Sequence, residues 1–210
     1  MSHLIVFIGV LGSGKGYQCS VLKKENYIQV DFADELRSMG WDILGWCPRP
    51  ECQDRDYEWF KKLRLDYIHL IYTHSDEELE WYFQVKQEHD IKEDGFILTG
   101  RLFLQNLGTN AIRTRQPDFW VDSWRNKVKR LLDEENLVCT SDCRFLNELI
   151  VCHELGARFI FCNYKSERYN SKDIHESEKL AQFFLKKGYQ DGQEIIINSK
   201  LMDEIRELLG

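Results

Sequence analysis

No stretch of this chain is apolar for long enough to cross a bilayer, which takes about 20 residues. The apolar opening at residues 4–10 (LIVFIGV) is short and carries neither a basic leader nor a cleavage site, so it reads as a core strand and not as a signal peptide. A surplus of positive charge is also missing. Lys and Arg number 28 against 35 Asp and Glu, a formal net charge of −7. That balance argues against a general nucleic-acid-binding surface and leaves room for a local basic pocket that takes a small anion. No disulfide framework can be drawn from the seven cysteines, Cys19, Cys47, Cys52, Cys139, Cys143, Cys152 and Cys162. Their number is odd and several fall in expected core elements, as reduced intracellular thiols do. Cys47 and Cys52, with His69 and His74 downstream, fit no structural zinc spacing well, and Pro48 and Pro50 make that stretch a stiffened surface loop. There is no internal repeat, low-complexity tract or long flexible linker. What is present is a 210-residue chain, long enough for one domain with or without a sizeable insertion, whose six Trp and twelve Phe help to build a core.

The most informative segment is residues 4–16 (LIVFIGVLGSGKG). A run of apolar β-formers ends at Gly9, a glycine-rich turn follows, and a helical segment begins near Lys15. Glycines at such a junction let backbone N–H groups converge on phosphate oxygens, the helix dipole favours the same anion, and the lysine adds a point charge for the β- and γ-phosphates. Gly9, Gly12, Ser13, Gly14, Lys15, Gly16 and Tyr17 are therefore the expected nucleotide triphosphate site. Ser or Thr normally follows the lysine and supports Mg²⁺; here Gly16 follows. The string GSGKGYQC resembles the adenylate-kinase form of the loop, with Tyr17 where that form has Thr.

Along the chain the pattern reads as strands near 4–9, 27–31, 137–141, 159–162 and 194–197, alternating with helices near 14–24, 33–44, 101–113, 119–133, 144–155 and 175–187 and a closing helix. Residues 45–56 read as a loop and 57–92 as two charged, aromatic helices broken near Ser75, whose pairing with Glu78 makes a capping box. Strands alternating with helices imply an α/β fold with a mostly parallel sheet flanked by helices. A single domain, 1–210, is expected, with an insertion at about 45–95.

Parallel sheets place ligands at the carboxyl ends of their strands. The strand at 137–141 ends at Asp142, a candidate to hold Mg²⁺ directly or through water, and Arg144 two residues on can reach a phosphoryl group; the plainer alternative is a helix cap and a surface ion pair. On the 101–113 helix Arg101 and Gln105 share a face at i,i+4, and with Arg113 and Arg115 they offer guanidinium forks and an amide to a second anion or base. A solvated helix face is the alternative there. Trp120 suits either base stacking or the core.

The series RLFLQNLGTNAIR, DFWVD, SDCRFLNE, GARFIF and DIHESE, in that order, resembles the deoxynucleoside monophosphate kinases of bacteriophages and other large DNA viruses, nucleotide kinases of the P-loop class. The resemblance covers roughly the first 30 residues and about 99 to the end. It implies transfer of the ATP γ-phosphoryl group to a deoxynucleoside 5′-monophosphate, supplying DNA precursors. Carried over by position, Lys15 and the loop hold the donor phosphates; Arg101, Gln105, Gly108, Thr109 and Trp120 meet the acceptor; Asp142 and Arg144 stand at the reaction centre, with Glu148 on the acceptor side. A lid at about 163–180 would bring Lys165 or Arg168 to ATP. The departures are Tyr17, Asn110 where the family often has Asp, and Asn163-Tyr164-Lys165 where an arginine is expected to begin the lid.

The implied cofactors are ATP and Mg²⁺, and the implied partner is the acceptor nucleotide, with no general nucleic-acid or membrane partner and with a homodimer allowed. The expected compartment is the cytoplasm, that of the host for a viral protein. Two other readings stay open: a P-loop kinase for another small molecule, and a nucleotide-binding protein without catalysis.

Overall fold

The computed structural model describes residues 3–44, 100–164 and 178–209. Two compact units divide the chain, one formed by Met1–Glu35 with Asp118–Gly210 and the other by Leu36–Pro117.

The first unit is built on a five-stranded sheet in the order β2-β3-β1-β4-β5. The strands are β1 (Leu4–Ile8), β2 (Ile28–Gln29), β3 (Val138–Thr140), β4 (Arg158–Phe161) and β5 (Glu194–Ile195). The first four run parallel, and β5 joins β4 antiparallel at the edge. β1 is the middle strand, and its unbroken apolar sequence follows from burial on both faces. The chain leaves β1 toward β2 on one side and leaves β3 for β4 on the other, so the change of direction falls at the carboxyl end of β1, where such sheets take their ligands.

Helices α1 (Lys15–Lys23), α4 (Phe119–Asp133), α5 (Leu146–Glu154), α6 (Lys179–Lys186) and α7 (Ser199–Leu209) flank this sheet; α2 (Asp34–Leu44) begins in the first unit and continues into the second, and α3 (Gly100–Gln105) belongs to the second. α4 has the bounds that its periodicity predicts. Its buried stripe is Trp120, Val121, Trp124 and Val128. Trp124 stacks on Phe32, with ring centroids 4.3 Å apart, and its Nε1 donates to the Val30 carbonyl at 2.9 Å. One side chain thereby fastens α4 to the segment that leaves β2. No helix among the described residues is long and apolar enough to cross a membrane.

Three expectations are corrected. The helix expected at 101–113 is α-helical only to Gln105 and continues as a π-helix over Asn106–Arg113. Gly108 and its polar neighbours favour the α-helix weakly, and Thr114 donates both its N–H and its hydroxyl to the Thr109 carbonyl, at 3.2 and 3.0 Å. A Cβ on Gly108 would stand 2.7 Å from Leu36 Cδ2, so glycine here serves close packing. The helix expected from 144 starts at Leu146, because residues 141–145 stay outside regular structure and Phe145 is extended. The last strand is shorter than expected and antiparallel, held by a two-pronged Arg158–Glu194 pair at 2.9 and 3.1 Å. The expectations for 45–95 and for Cys47, Cys52, His69 and His74 lie outside the described residues.

Candidate active site

Gly9 follows β1 directly. A Cβ there would meet the Cys162 carbonyl oxygen at 2.2 Å and Ser13 Oγ at 2.5 Å, so only glycine lets the ends of β1 and β4 lie this close. Gly12 (φ 77°) and Gly14 (φ 90°) take the left-handed conformation that other residues avoid. Ser13 N–H donates to the Val10 carbonyl at 3.1 Å and closes the turn, and Tyr164 N–H donates to the Ser13 carbonyl at 3.3 Å, tying the exit of β4 to it. α1 then starts at Lys15 with no side chain capping it and no acidic residue in its first turn. Its first amides and its dipole are the physical ingredients of an anion site.

Lys15 bends back beneath this turn. Its Nζ donates to the carbonyls of Gly9 at 2.6 Å and Val10 at 2.8 Å and lies 3.5 Å from Ser13 Oγ. Burial, and then the neighbouring Arg144 charge, lower its pKa from 10.5 to about 8; Glu178, Cys162 and Asp142 act the other way. Tyr17, the odd residue of the motif, is 71% exposed, so the loop forms without burying it.

At the neighbouring strand ends two carboxylates cross. Asp31, just beyond β2, accepts from Ser141 N–H at 2.8 Å and from the Thr140 hydroxyl at 3.1 Å. Asp142, just beyond β3, accepts from the N–H groups of Phe32 at 2.8 Å and Ala33 at 2.9 Å, and from the Thr140 hydroxyl at 3.1 Å. Burial, followed by the charges of Asp31 and Glu148, raises the Asp142 carboxyl well above its ordinary range, and the two amides only partly counter this.

Arg144 has its backbone and its side chain held by different carboxylates. Glu148, almost fully buried, accepts from the N–H groups of Arg144 at 2.7 Å and Phe145 at 3.1 Å and so caps α5. Glu178 accepts from Arg144 Nη1 at 3.3 Å and from Leu11 N–H, in the glycine turn, at 3.1 Å.

The structure thus brings Gly9, Gly12, Ser13, Gly14, Lys15, Gly16, Tyr17, Asp142, Arg144 and Glu148 to the carboxyl edge of one sheet in the first unit. Trp120 belongs to the same unit but is only 2% exposed, with its ring edge-on to Phe119 at 4.8 Å. Arg101 and Gln105 lie four residues apart on α3, and Gly108 and Thr109 lie in the π-helix, all in the second unit. Lys165, Arg168 and most of the expected lid lie outside the described residues. Sequence reasoning gave Asp31 no role and placed Glu178 only as the last residue of DIHESE, within the expected lid. Asp31 shows in sequence as an acid at a strand end; Glu178 has no such signal, since its contact with Leu11 spans 167 residues.

Among the described residues no group of three or more His, Cys, Asp or Glu is placed to hold a metal ion. Gly16 offers no hydroxyl. Asp142 Oδ1 already accepts two hydrogen bonds and Oδ2 one, which leaves room on Oδ2 for a bridging water. The five described cysteines, Cys19, Cys139, Cys143, Cys152 and Cys162, are buried free thiols.

A family model described as deoxynucleotide monophosphate kinase matches residues 58–208. The match makes this protein a transferase of nucleotide metabolism. It takes in well over half of the sequence, and the chain belongs to the deoxynucleotide monophosphate kinase family. The matched region reaches back into residues 58–95, which the resemblance does not cover, and begins beyond the glycine turn. No curated protein matches the chain significantly.

Proposed function

We propose that the protein transfers the γ-phosphoryl group of ATP to a deoxynucleoside 5′-monophosphate and so supplies diphosphates for DNA synthesis. The observation that carries this reading is Lys15 at the uncapped start of α1, inside a glycine turn on the central strand, with Arg144 close enough to depress its pKa.

The donor phosphates lie on the amides of the Gly9–Tyr17 turn. Lys15 exchanges the carbonyls of Gly9 and Val10 for phosphate oxygens, whose negative charge favours its ammonium form. Phosphoryl transfer needs little covalent help from the protein; it needs alignment and charge neutralisation. Arg144 meets the migrating group, whose charge spreads in the transition state. Mg²⁺ would come with the ATP substrate, where it would neutralise phosphate charge, and Asp142 is the residue that would hold it, through water. Roles for Lys165 and Arg168 toward ATP, and for Arg101, Gln105, Gly108, Thr109 and Trp120 toward the acceptor, rest on the family resemblance. Glu148 serves the acceptor side through the backbone of Arg144.

The test is a coupled assay of ADP release with MgATP and each deoxynucleoside monophosphate in turn. Turnover with at least one acceptor is expected. ATP binding without turnover on any acceptor would replace this reading with non-catalytic nucleotide binding, and turnover only on a non-nucleotide acceptor would replace the substrate class.

A further inference from the structure

Glu178 stands at the N-terminal boundary of α6, where a carboxylate ordinarily turns onto the amides of its own helix. It does not do so: no side chain caps α6. Glu178 is 6% exposed, and its two oxygens point to two other parts of the fold. Oε2 accepts from Leu11 N–H at 3.1 Å, and Oε1 accepts from Arg144 Nη1 at 3.3 Å. A buried carboxylate is costly to the fold unless both oxygens are satisfied, and here the partners are the glycine turn and the arginine on the loop after β3.

We propose that Glu178 is a positioning residue for phosphoryl transfer: it sets the Arg144 guanidinium in register with the turn that carries the donor phosphates. The proposal rests on the kinase reading above. The backbone of Arg144 is fixed by Glu148, but its side chain is long and 38% exposed, and among the described residues Glu178 is the carboxylate that holds its far end. A guanidinium has five N–H donors. Glu178 uses one, so the others remain for phosphoryl oxygens. The second oxygen holds Leu11, at the start of the turn, so a single carboxylate sets the spacing between the arginine and the loop. Arg144 does not have to search for its position in each cycle, and preorganisation of this kind acts on the chemical step more than on donor binding.

The experiment is a double-mutant cycle with the full chain, combining Glu178→Gln and Arg144→Ala, read as kcat and as KM for MgATP. Gln is nearly isosteric but has one oxygen, and its NH₂ faces a donor. In the wild-type background Glu178→Gln is expected to lower kcat about tenfold or more while KM for MgATP moves by less than about threefold. In the Arg144→Ala background the same change is expected to move kcat by less than about twofold, because the group it positions is gone. If Glu178→Gln does not fold, Glu178→Asp, which keeps the charge but is too short to hold both partners, is read in the same cycle. Equal losses in both backgrounds, or an effect mainly on KM, overturn the proposal while leaving the kinase reading in place. A wild-type protein that turns over no acceptor overturns the kinase reading itself, and this inference with it.

Discussion

Asp31 and Asp142 each hold the other's strand. Asp31 at the end of β2 takes the amide of Ser141 beyond β3, and Asp142 at the end of β3 takes the amides of Phe32 and Ala33 beyond β2. The Thr140 hydroxyl between them lies 3.1 Å from Oδ1 of each and shares its one proton between the two. Two carboxylates this close repel; amides from the partner strand's side oppose the repulsion at each, and Gln29 Nε2, on the strand that Asp31 itself follows, adds a bond to Asp31 at 2.7 Å. Asp142→Ala leaves two backbone donors without their acceptor, and a loss of about 2–5 kcal/mol in unfolding free energy is expected. Asp142→Asn keeps an acceptor and removes the repulsion from Asp31 and Glu148, so its loss should be clearly smaller. Denaturant unfolding of both variants at pH 7 checks the order, and equal losses would remove the brace from the account.

Lys15 ties activity to pH. The phosphates need the charged ammonium, and in the free protein burial and Arg144 bring its pKa down to about 8 against the counter-effects of Glu178, Cys162 and Asp142. kcat/KM should therefore hold below that value and fall as pH rises through it. Stability should move in the opposite direction. Between about 8 and the ordinary lysine value near 10.5 the unfolded chain keeps a proton that the folded one has released, so wild-type stability gains with pH across that window. Lys15→Met should lack the gain and lose at least about tenfold in turnover, equivalent to about 1.4 kcal/mol of transition-state stabilisation. A pH–rate profile and paired unfolding curves at pH 7.5 and 10 decide both points.

The two glycines that bracket the turn should respond differently to one methyl group. Gly9→Ala places Cβ against the backbone of Cys162 and should destabilise the fold by more than about 3 kcal/mol, because backbone cannot give way as a side-chain tip can. Gly16→Ala meets nothing within 4 Å and has no unusual φ, so stability should change by less than about 1 kcal/mol. Any effect of Gly16→Ala should show as a higher KM for ATP. Thermal unfolding and ATP titration of the pair separate the two roles; a stable Gly9→Ala protein would contradict the close approach of β1 and β4.

Trp120 and Trp124 lie on one stripe of α4 with different duties. Trp124 is bonded to Val30 and stacked on Phe32, so Trp124→Leu should lower stability by about 3 kcal/mol or more. Trp120→Leu should weaken acceptor binding several-fold, since a base stacked on an aromatic ring is worth about 1–3 kcal/mol. Fluorescence titration with deoxynucleoside monophosphates reads the second effect. Unchanged affinity would leave Trp120 a core residue, as its burial alone describes it.

The parts that were legible in sequence are those whose causes are local. The apolar run of β1, the glycines after it and the 3.6-residue period of α4 lie within a few residues of one another, and the structure follows them closely. The crossing of Asp31 with Asp142 joins residues about 110 apart, and Glu178 reaches Leu11 across 167. Nothing in the spacing of those acids shows which amide each will take. The sequence marked Asp142 by its place at a strand end and offered two roles for it; the structure displays the bracing of β2, which neither reading contained. The π-helix also stayed hidden, because an i,i+4 pattern such as Arg101 with Gln105 says nothing about a later widening around Gly108, or about Leu36 packing close against that glycine.

Lys15 at rest has consequences for the end of the catalytic cycle as well as its beginning. On the proposed reading, a departing diphosphate leaves behind an ammonium that has replacement partners in the carbonyls of Gly9 and Val10, 2.6 and 2.8 Å away. The loop thus competes with product for its own cation. That competition weakens the hold on spent nucleotide and favours rapid clearance of the turn before the next donor arrives.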